Sequence, residues 1–426
     1  MRAVLWLLGL FAVAVVAALF AGNNHDSVTL FWEPYRVDLS FNLAVVLVAG
    51  LFVVLHTAFN AVSALLNIPQ QARRWRLSQR ERAMYAALLD ALTLLVCGRF
   101  VRARKAAERV LEMDEALGRG GEKLPFGTRL RAMAHLIAAE SAHAVQDRSA
   151  RENHLGRALQ ASQTREGQEL LDGVRLRGAR WAFDDRQAEQ ALEQLNQLPL
   201  GTSRRTLALR LRFKAARLAG DARLALDTAR LLTKHRAFSE LAGASIARGL
   251  AIEALGATHD PVQVQRVWAG LDPAEQAMPD VALFAARRLA QSGGSAAMAQ
   301  SWLMPVWSAA TGVGTARLND AQRVQLVAVM ETLFAKEDAA LDTEWLRRIE
   351  QAQAAHPADA LWNYLAGVAC MRMQLWGKAQ QLLKQSVGGL RDADMRRRAW
   401  QHLGAMAEER QDMAAALTAY REAAKT

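Results

Sequence analysis

The 426-residue chain contains few cysteines, prolines and tyrosines. Its two cysteines, Cys97 and Cys370, lie far apart and have no C-x-x-C or C-x-x-H partner, which argues against a disulfide framework or a zinc finger. Nine prolines are too few for a disordered or collagen-like chain. The β-branched residues concentrate in the first 62 positions, and the remainder is rich in Ala, Leu, Arg, Gln and Glu. This composition predicts an all-α fold.

The sequence also lacks the motifs of common enzyme sites. Neither G-x-S-x-G nor H-E-x-x-H occurs, and the glycine clusters at residues 118–125 and 311–317 complete neither a P-loop nor a dinucleotide fingerprint. In the second cluster Arg317 occupies the third glycine position. His135 and His143 are eight residues apart on one predicted helix, too far to share a metal. We therefore predict that the chain is not an enzyme and has no catalytic or metal-binding residues.

Two long apolar runs open the chain. Residues 3–21 are uncharged, and a helix of this length crosses a hydrocarbon core of about 30 Å. Because Arg2 precedes this run, a cleaved signal peptide is the alternative interpretation. A second run at residues 41–66 follows closely and favours a two-helix transmembrane hairpin that anchors the chain over residues 1–68.

The distribution of positive charge predicts the topology of this anchor. The connection between the two runs contains Arg36 alone, whereas RRWRLSQRER follows the second run directly. Both chain termini are therefore expected in the cytoplasm. The chain has a net charge of +11, and no nucleic-acid-binding motif accompanies its membrane-proximal basic residues. We expect these side chains to contact anionic lipid rather than nucleic acid; they are Arg73, Arg74, Arg76, Arg80 and Arg82.

A polar stripe runs along the second apolar run. His56, Asn60, Ser63 and Asn67 recur at intervals of three and four and share one helical face. Polar groups in hydrocarbon are costly unless they find partners, so this face is expected to pack on a helix or reach the headgroups. The alternative is that His56 binds haem or a porphyrin, although no second axial ligand accompanies it.

The C-terminal sequence carries a helical repeat. WQHLGAMAEERQDMAAALTAYREAAK follows the tetratricopeptide (TPR) spacing, in which small residues allow two helices to pack closely. The matching positions are Trp400, Leu403, Gly404, Ala407, Ala416, Tyr420 and Ala423. The preceding unit repeats the pattern with Trp362, Leu365, Ala366, Ala369, Ala379 and Leu383. The two units are aligned by Trp362 and Trp400, which are 38 positions apart.

Looser repeats precede these two units and complete the predicted organisation. Ala-rich helices follow short turns near Gly98, Asp147, Asp185 and Gly220, and prolines and glycines interrupt the pattern between residues 258 and 315. We predict an anchor at 1–68, a basic segment with a first repeat at 69–113, degenerate repeats at 114–315 and TPR repeats at 316–426. Such a solenoid is typical of proteins that bind other proteins.

The N-terminal sequence also resembles a known family. VTLFWEPYRVDLSFNL, followed by ARRWRLSQRERAMYAALLDALTLLVCGRFVRARKAA, is similar to the HemY family of proteobacterial inner-membrane proteins, most specifically over residues 1–112. This resemblance implies a membrane-bound, non-catalytic accessory or scaffold in haem (protoporphyrin) biosynthesis, with haem-pathway enzymes as partners. An unrelated flavin-dependent protoporphyrinogen oxidase has the same name, but this chain lacks the dinucleotide fingerprint that such an enzyme requires.

Two functional hypotheses follow. The first is a two-pass scaffold of the bacterial inner membrane that binds partner proteins through a cytoplasmic TPR array. No cofactor is predicted for it. The second is a tetrapyrrole-binding carrier or sensor that uses His56. A residual porphyrin oxidase activity ranks third, because no sequence motif supports it.

Overall fold

A computed structural model describes residues 2–22, 26–121, 124, 126–312, 318–335 and 341–425. Inside the helices, the side chains of residues 2–8, 10, 20, 21, 64–71, 73 and 74 lie outside the described part. The chain divides into two compact units, Met1–Arg157 and Ala158–Thr426. Helices dominate both units, as the composition predicted.

The first unit contains helices and one small sheet. Its elements are α1 (Arg2–Gly22), β1 (Ser27–Trp32), β2 (Tyr35–Ser40), α2 (Phe41–Val96), α3 (Phe100–Arg119), α4 (Gly127–Ala144) and the first part of α5 (Arg148–Ser162). The prediction of a purely α fold is therefore wrong for the connection between the apolar runs, where β1 and β2 pair antiparallel. The physical reason is the alternation of apolar and polar residues along both strands, which has the period of a half-buried strand.

The second apolar run forms the beginning of α2, a helix of 56 residues. Ser40 caps it by accepting a hydrogen bond from the Leu43 N–H at 3.4 Å. Among the described residues, Phe41–Ser63 is the one helical segment long and apolar enough to cross a membrane, and none of its side chains is buried. The two-helix hairpin thus remains a prediction.

The same helix continues into the first helical repeat. Beyond Ser63, α2 runs without a break to Met84 and Ala91, which are fully buried against α3 and α4. The predicted boundary at residue 68 lies inside this helix, the one at 113 lies inside α3, and the one at 315 lies outside the described residues. The apolar segment and the first repeat therefore share one rigid element.

The second unit is a succession of helices. They are α6 (Gln168–Asp184), α7 (Ala188–Asn196), α8 (Leu200–Ser203), α9 (Thr206–Ala219), α10 (Ala222–Lys234), α11 (Glu240–Gly256), α12 (Pro261–Ala269), α13 (Pro273–Gln276), α14 (Pro279–Gln291), α15 (Ala296–Ala310), α16 (Asp320–Phe334), α17 (Thr343–Ala355), α18 (Ala360–Arg372), α19 (Trp376–Val387), α20 (Ala393–Glu409) and α21 (Met413–Lys425). Consecutive helices pack in pairs, such as α9 with α10, α18 with α19 and α20 with α21.

One turn geometry recurs between paired helices. A residue with positive φ ends the first helix, and the next N–H bonds to a carbonyl five residues earlier, as in a Schellman motif. These donor and acceptor pairs include Asp147 and Ala142, Gln187 and Ala182, Asp221 and Ala216, Leu375 and Cys370, and Asp412 and Ala407. The repeated turn gives the degenerate repeats a common local structure that their side chains do not reveal.

Equivalent contacts in the two C-terminal repeats are 37 residues apart. A Cβ atom on Gly404 would lie 2.7 Å from the Tyr420 ring, and one on Gly367 would lie 2.8 Å from Leu383 Cγ. In both repeats the glycine precedes its contact residue by 16 positions. Gly367, rather than the Ala366 of the sequence alignment, is therefore the counterpart of Gly404, and aligning the two tryptophans shifts the first helix by one residue.

Replacing Gly367 by Ala should lower the free energy of unfolding by about 2 kcal/mol, because the added methyl group overlaps the fully buried Leu383. The control is Gly377→Ala on α19, where a Cβ meets no atom within 4 Å and the substitution should be neutral or slightly stabilising. Thermal unfolding of the purified chain provides the measurement. Equal stability of the two variants would contradict the close approach of α18 and α19.

Candidate functional site

A groove of about 900 Å³ crosses the second unit and is lined by α11, α14, α16 and α20. Apolar side chains contribute to its surface: Ile252, Leu283, Phe284, Val324, Ala328 and Val329. Charged side chains accompany them: Arg248, Asp280, Arg287, Asp392, Asp394, Arg397 and Arg398. A mixed surface of this kind can hold an extended peptide or a helix, because apolar contacts supply affinity and charges fix orientation.

Most charges in the groove are already paired. Arg248 donates to Asp280 at 2.8 Å, and Arg397 contacts Asp394. Arg287 differs, since it is exposed and forms no ion pair within the part of the chain that the structure describes. A partner carboxylate could pair with this guanidinium without displacing an intramolecular acid.

Glu331 connects the wall of the groove to the helices behind it. This residue of α16 is 9% exposed, and its carboxylate accepts hydrogen bonds from the Tyr364 hydroxyl at 2.7 Å, Arg398 at 2.7 Å and His402 Nε2 at 2.9 Å. Tyr364 belongs to α18, and the other two donors belong to α20. One carboxylate therefore joins three helices and positions Arg398 at the groove.

The electrostatic balance at Glu331 favours its charged form. Burial tends to raise the pKa of this carboxyl group, but the hydrogen bonds from His402 and Tyr364 and the charge of Arg398 outweigh it, so the pKa lies below its usual value. Burial and the adjacent carboxylate raise the pKa of Tyr364. The cluster is thus a neutral phenol and a cation around a carboxylate, which suits a structural role rather than proton transfer at neutral pH.

The sequence offered one clue to this cluster. Glu331 is the only acid in the run VAVMETLF of α16, and a lone acid on an apolar face calls for a buried partner. Its partners could not be identified from sequence, because His402 lies 71 positions away.

The first unit contains a histidine pair that the sequence did not predict. Nδ1 of His135 on α4 lies 3.0 Å from Nδ1 of His154 on α5, and His154 Nε2 lies 3.8 Å from a Glu108 oxygen. Burial lowers the pKa of His135 to about 4, with His154, Arg157 and Arg131 adding to the effect. Burial also lowers the pKa of His154, although Glu108 opposes the shift. Both rings are therefore neutral near pH 7.

No metal site accompanies these groups in the described part of the chain. No three His, Cys, Asp or Glu side chains described by the structure are placed to hold a metal ion. His143, which the sequence placed too far from His135 to share a metal, instead lies 3.2 Å from an Arg151 nitrogen through its Nδ1.

The predicted repeat residues lie at the helix contacts. Trp362, Leu365, Ala369 and Ala379 are buried on α18 and α19. On α20 and α21, Leu403, Gly404, Ala407, Ala416 and Ala423 are also buried, whereas Trp400 and Tyr420 are half-buried. These positions therefore form the packing surface between helices and do not line the groove described above.

The basic residues predicted to lie near the membrane all belong to α2. Arg76, Arg80 and Arg82 are exposed. The side chains of Arg73 and Arg74 lie outside the described residues. The described side chains are thus open to solvent or lipid headgroups, while their contact with anionic lipid remains a prediction.

Two residues of the predicted polar stripe on α2, His56 and Asn60, lie on one face of the helix and contact each other. Asn60 Nδ2 lies 3.0 Å from His56 Nε2, and the Phe52 ring stacks on the imidazole with centroids 6.1 Å apart. Asn67 lies outside the described side chains. The Nε2 atom, through which His56 would bind a haem iron, is therefore occupied by a neighbour on its own helix.

Comparisons with known proteins find one family match, in the N-terminal region. Residues 27–146 match the family described as HemY protein N-terminus. No curated protein matches the chain. One similar solved structure is the P58(IPK) TPR domain, at 14% identity, with 77% of this chain aligned to 99% of that chain and a TM-score of 0.21.

A second similar structure is Naa15/Naa10 bound to HypK-THB, at 13% identity, with 80% of this chain aligned to 66% of that chain and a TM-score of 0.19. Neither alignment superposes the chains closely, so the description of the repeats rests on this chain's own helix pairs and turns. The match over residues 27–146 confirms the resemblance to the HemY family that the N-terminal sequence shows.

Proposed function

We propose that this protein is a non-catalytic accessory or scaffold of haem (protoporphyrin) biosynthesis that binds partner proteins at the bacterial inner membrane. The groove of the second unit is the observation that carries the proposal, because its apolar surface and Arg287, which has no ion pair among the described residues, suit a peptide segment with an acidic residue. The HemY N-terminal region supports the link to haem synthesis. Haem-pathway enzymes are the proposed partners.

The continuous α2 helix supports a role at the membrane surface. From Ser63, where the apolar segment ends, to the buried Met84 the helix rises by about 30 Å. A helix of this length would hold the first repeat at a fixed distance from the bilayer. Partners bound through the repeats would then be kept close to the membrane, where an apolar porphyrin precursor can pass between enzymes without crossing bulk water.

The proposed topology has two membrane passes with both termini in the cytoplasm. Phe41–Ser63 supports one pass by length and composition. The other pass is proposed for α1, whose 21 residues have the length that a bilayer requires. The basic residues that follow the span on α2 favour the cytoplasmic side for its C-terminal end.

Site-specific cross-linking in membranes tests the binding role. A photo-reactive amino acid at Gln325, in the groove, should capture haem-pathway enzymes, whereas one at Arg266 on α12, which does not line the groove, should not. Arg287→Glu should reduce capture at Gln325 at least tenfold, because it repels the partner carboxylate. Arg266→Glu is the matched control and should leave capture unchanged.

Equal capture at both positions, or the absence of haem-pathway enzymes among the captured proteins, would contradict the proposal. A Soret band that co-purifies with the chain and disappears in His56→Ala would instead favour the tetrapyrrole carrier. Because His56 is remote in sequence from the groove and lies in a different unit, this substitution should leave partner capture intact.

A further inference from the structure

The hairpin formed by β1 and β2 has two chemically different faces. Residues alternate between the faces along a strand, and the pairing aligns Val28 with Leu39, Leu30 with Val37 and Trp32 with Tyr35. These three cross-strand pairs share one face, which we call the apolar hairpin face. The opposite face carries the pairs Ser27 with Ser40, Thr29 with Asp38 and Phe31 with Arg36.

The apolar hairpin face is open toward its tip. Val28 and Leu39 at the base are half-buried, whereas Leu30 is 55% exposed and Trp32 is 80% exposed. The one large apolar residue on the other face, Phe31, is 77% exposed and has the Arg36 guanidinium 5.5 Å from its ring centroid. Apart from Phe31, the apolar and polar residues of the hairpin are therefore segregated between its two faces.

Such a hairpin needs a cover for its apolar face. A two-stranded sheet alone is marginally stable in water, and it gains stability when one face packs on another surface. In the described part of the chain no element covers the Trp32 and Tyr35 pair. The described residues therefore leave this face open for an external cover.

The position of the hairpin indicates which surface is available. Its base joins the start of the apolar segment Phe41–Ser63, since Ser40 both closes the last strand pair and caps α2. The Phe41 N–H also donates to the Asp26 carbonyl at 2.9 Å. When this segment spans a bilayer, the hairpin begins where hydrocarbon meets water, and Trp and Tyr are the residues that favour this interface.

We infer that the apolar hairpin face lies on the membrane surface, with its side chains among the outer acyl chains and headgroups, and that the hairpin is an interfacial anchor next to the span. The unpaired N–H and C=O groups at both strand edges limit its depth, because they need water or headgroups as partners. The inference rests on the proposed membrane span of α2 but not on partner binding by the groove.

Cysteine accessibility in lipid nanodiscs tests this inference on the full chain, because both membrane surfaces of a nanodisc face the buffer. Each disc holds one copy, so that a second copy cannot cover the hairpin. Single cysteines are placed at Leu30 and Val37 on the apolar hairpin face, and at Thr29 and Asp38 on the other face. Cys97 is replaced by Ser because it is exposed, and the buried Cys370 is retained. A water-soluble maleimide should label the Leu30 and Val37 sites at least tenfold more slowly than the Asp38 site.

A further cysteine at Leu51, in the middle of the span, tests the membrane span separately from the apolar hairpin face. Labelling of Leu51→Cys would show that the span itself is absent. Protection at Leu51 with equal labelling of both hairpin faces would retain the span and overturn the inference. Protection of Leu30 and Val37 in native membranes but not in nanodiscs would also overturn it, because a protein partner would then be the cover.

Discussion

Replacing Glu331 by Gln is expected to lower the free energy of unfolding by about 3 kcal/mol, the lower end of the range for breaking a buried ion pair. The amide keeps the shape of the side chain but loses the charge that balances Arg398. It also places an NH₂ group against Tyr364 or His402, each of which donates to the native carboxylate. The lower end of the range applies because Arg398 remains partly exposed.

A matched control is available on the neighbouring helix. Glu344 of α17 also bonds to two arginines, Arg347 and Arg348, but these pairs lie on the surface. Glu344→Gln should therefore leave the melting temperature unchanged within error, because solvent screens exposed ion pairs. Thermal and denaturant unfolding of both variants and the parent chain give the comparison. If Glu331→Gln proves as stable as Glu344→Gln, the cluster does not hold the three helices together.

The Glu331 cluster also relates stability to the proposed binding site. Arg398 lines the groove, and its native partner is a carboxylate that enters from α16. Once Glu331 becomes Gln, the guanidinium is free to reorient, and the groove wall formed by α16 and α20 loses a cross-link. A loss of partner capture in this variant would therefore report the geometry of the groove and not a direct contact with Glu331.

Local patterns predicted the helices well because their determinants lie close together in the sequence. In the last repeat, Gly404 and Tyr420 are 16 residues apart and in contact, as the TPR spacing required. The predicted register between the two repeats was less accurate. It was set by aligning Trp362 with Trp400, whereas the close helix contacts align Gly367 with Gly404. The structure shows that the close approach of helices, rather than the largest side chain, defines the equivalent position.

Long-range pairs and the hairpin could not be predicted in the same way. His135 and His154 lie on different helices, and Glu331 meets His402 only after the intervening helices have packed. The alternation in residues 27–40 was visible in the sequence, but the segment was interpreted only as the connection between two apolar helices. In a short strand pair, the cross-strand register decides which residues pair with each other. That register depends on the turn as well as on the sequence of each strand.

Acid is expected to destabilise the first unit between about pH 6.5 and pH 4. His135 has its ordinary pKa of 6.5 in the unfolded chain and about 4 in the folded chain. Because the folded pKa is lowered, the unfolded chain binds the extra proton first as the pH falls. The stability is fully present above pH 6.5 and is lost progressively as the pH approaches 4. At about 1.4 kcal/mol per pH unit, the loss reaches roughly 3 kcal/mol.

The histidine pair should be the source of this loss, because protonation places a charge on the buried His135 and turns its short contact with His154 into a repulsion beside Arg157 and Arg131. His135→Gln should therefore flatten the dependence of stability on pH in this window, even if it lowers stability at pH 7. His259→Gln is the control, since His259 is exposed and lies in the second unit. Hydrogen exchange of α4 and α5 amides between pH 7 and 4.5, corrected for the intrinsic exchange rate, resolves the first unit from the second. An unchanged pH dependence in His135→Gln would assign acid sensitivity to other groups.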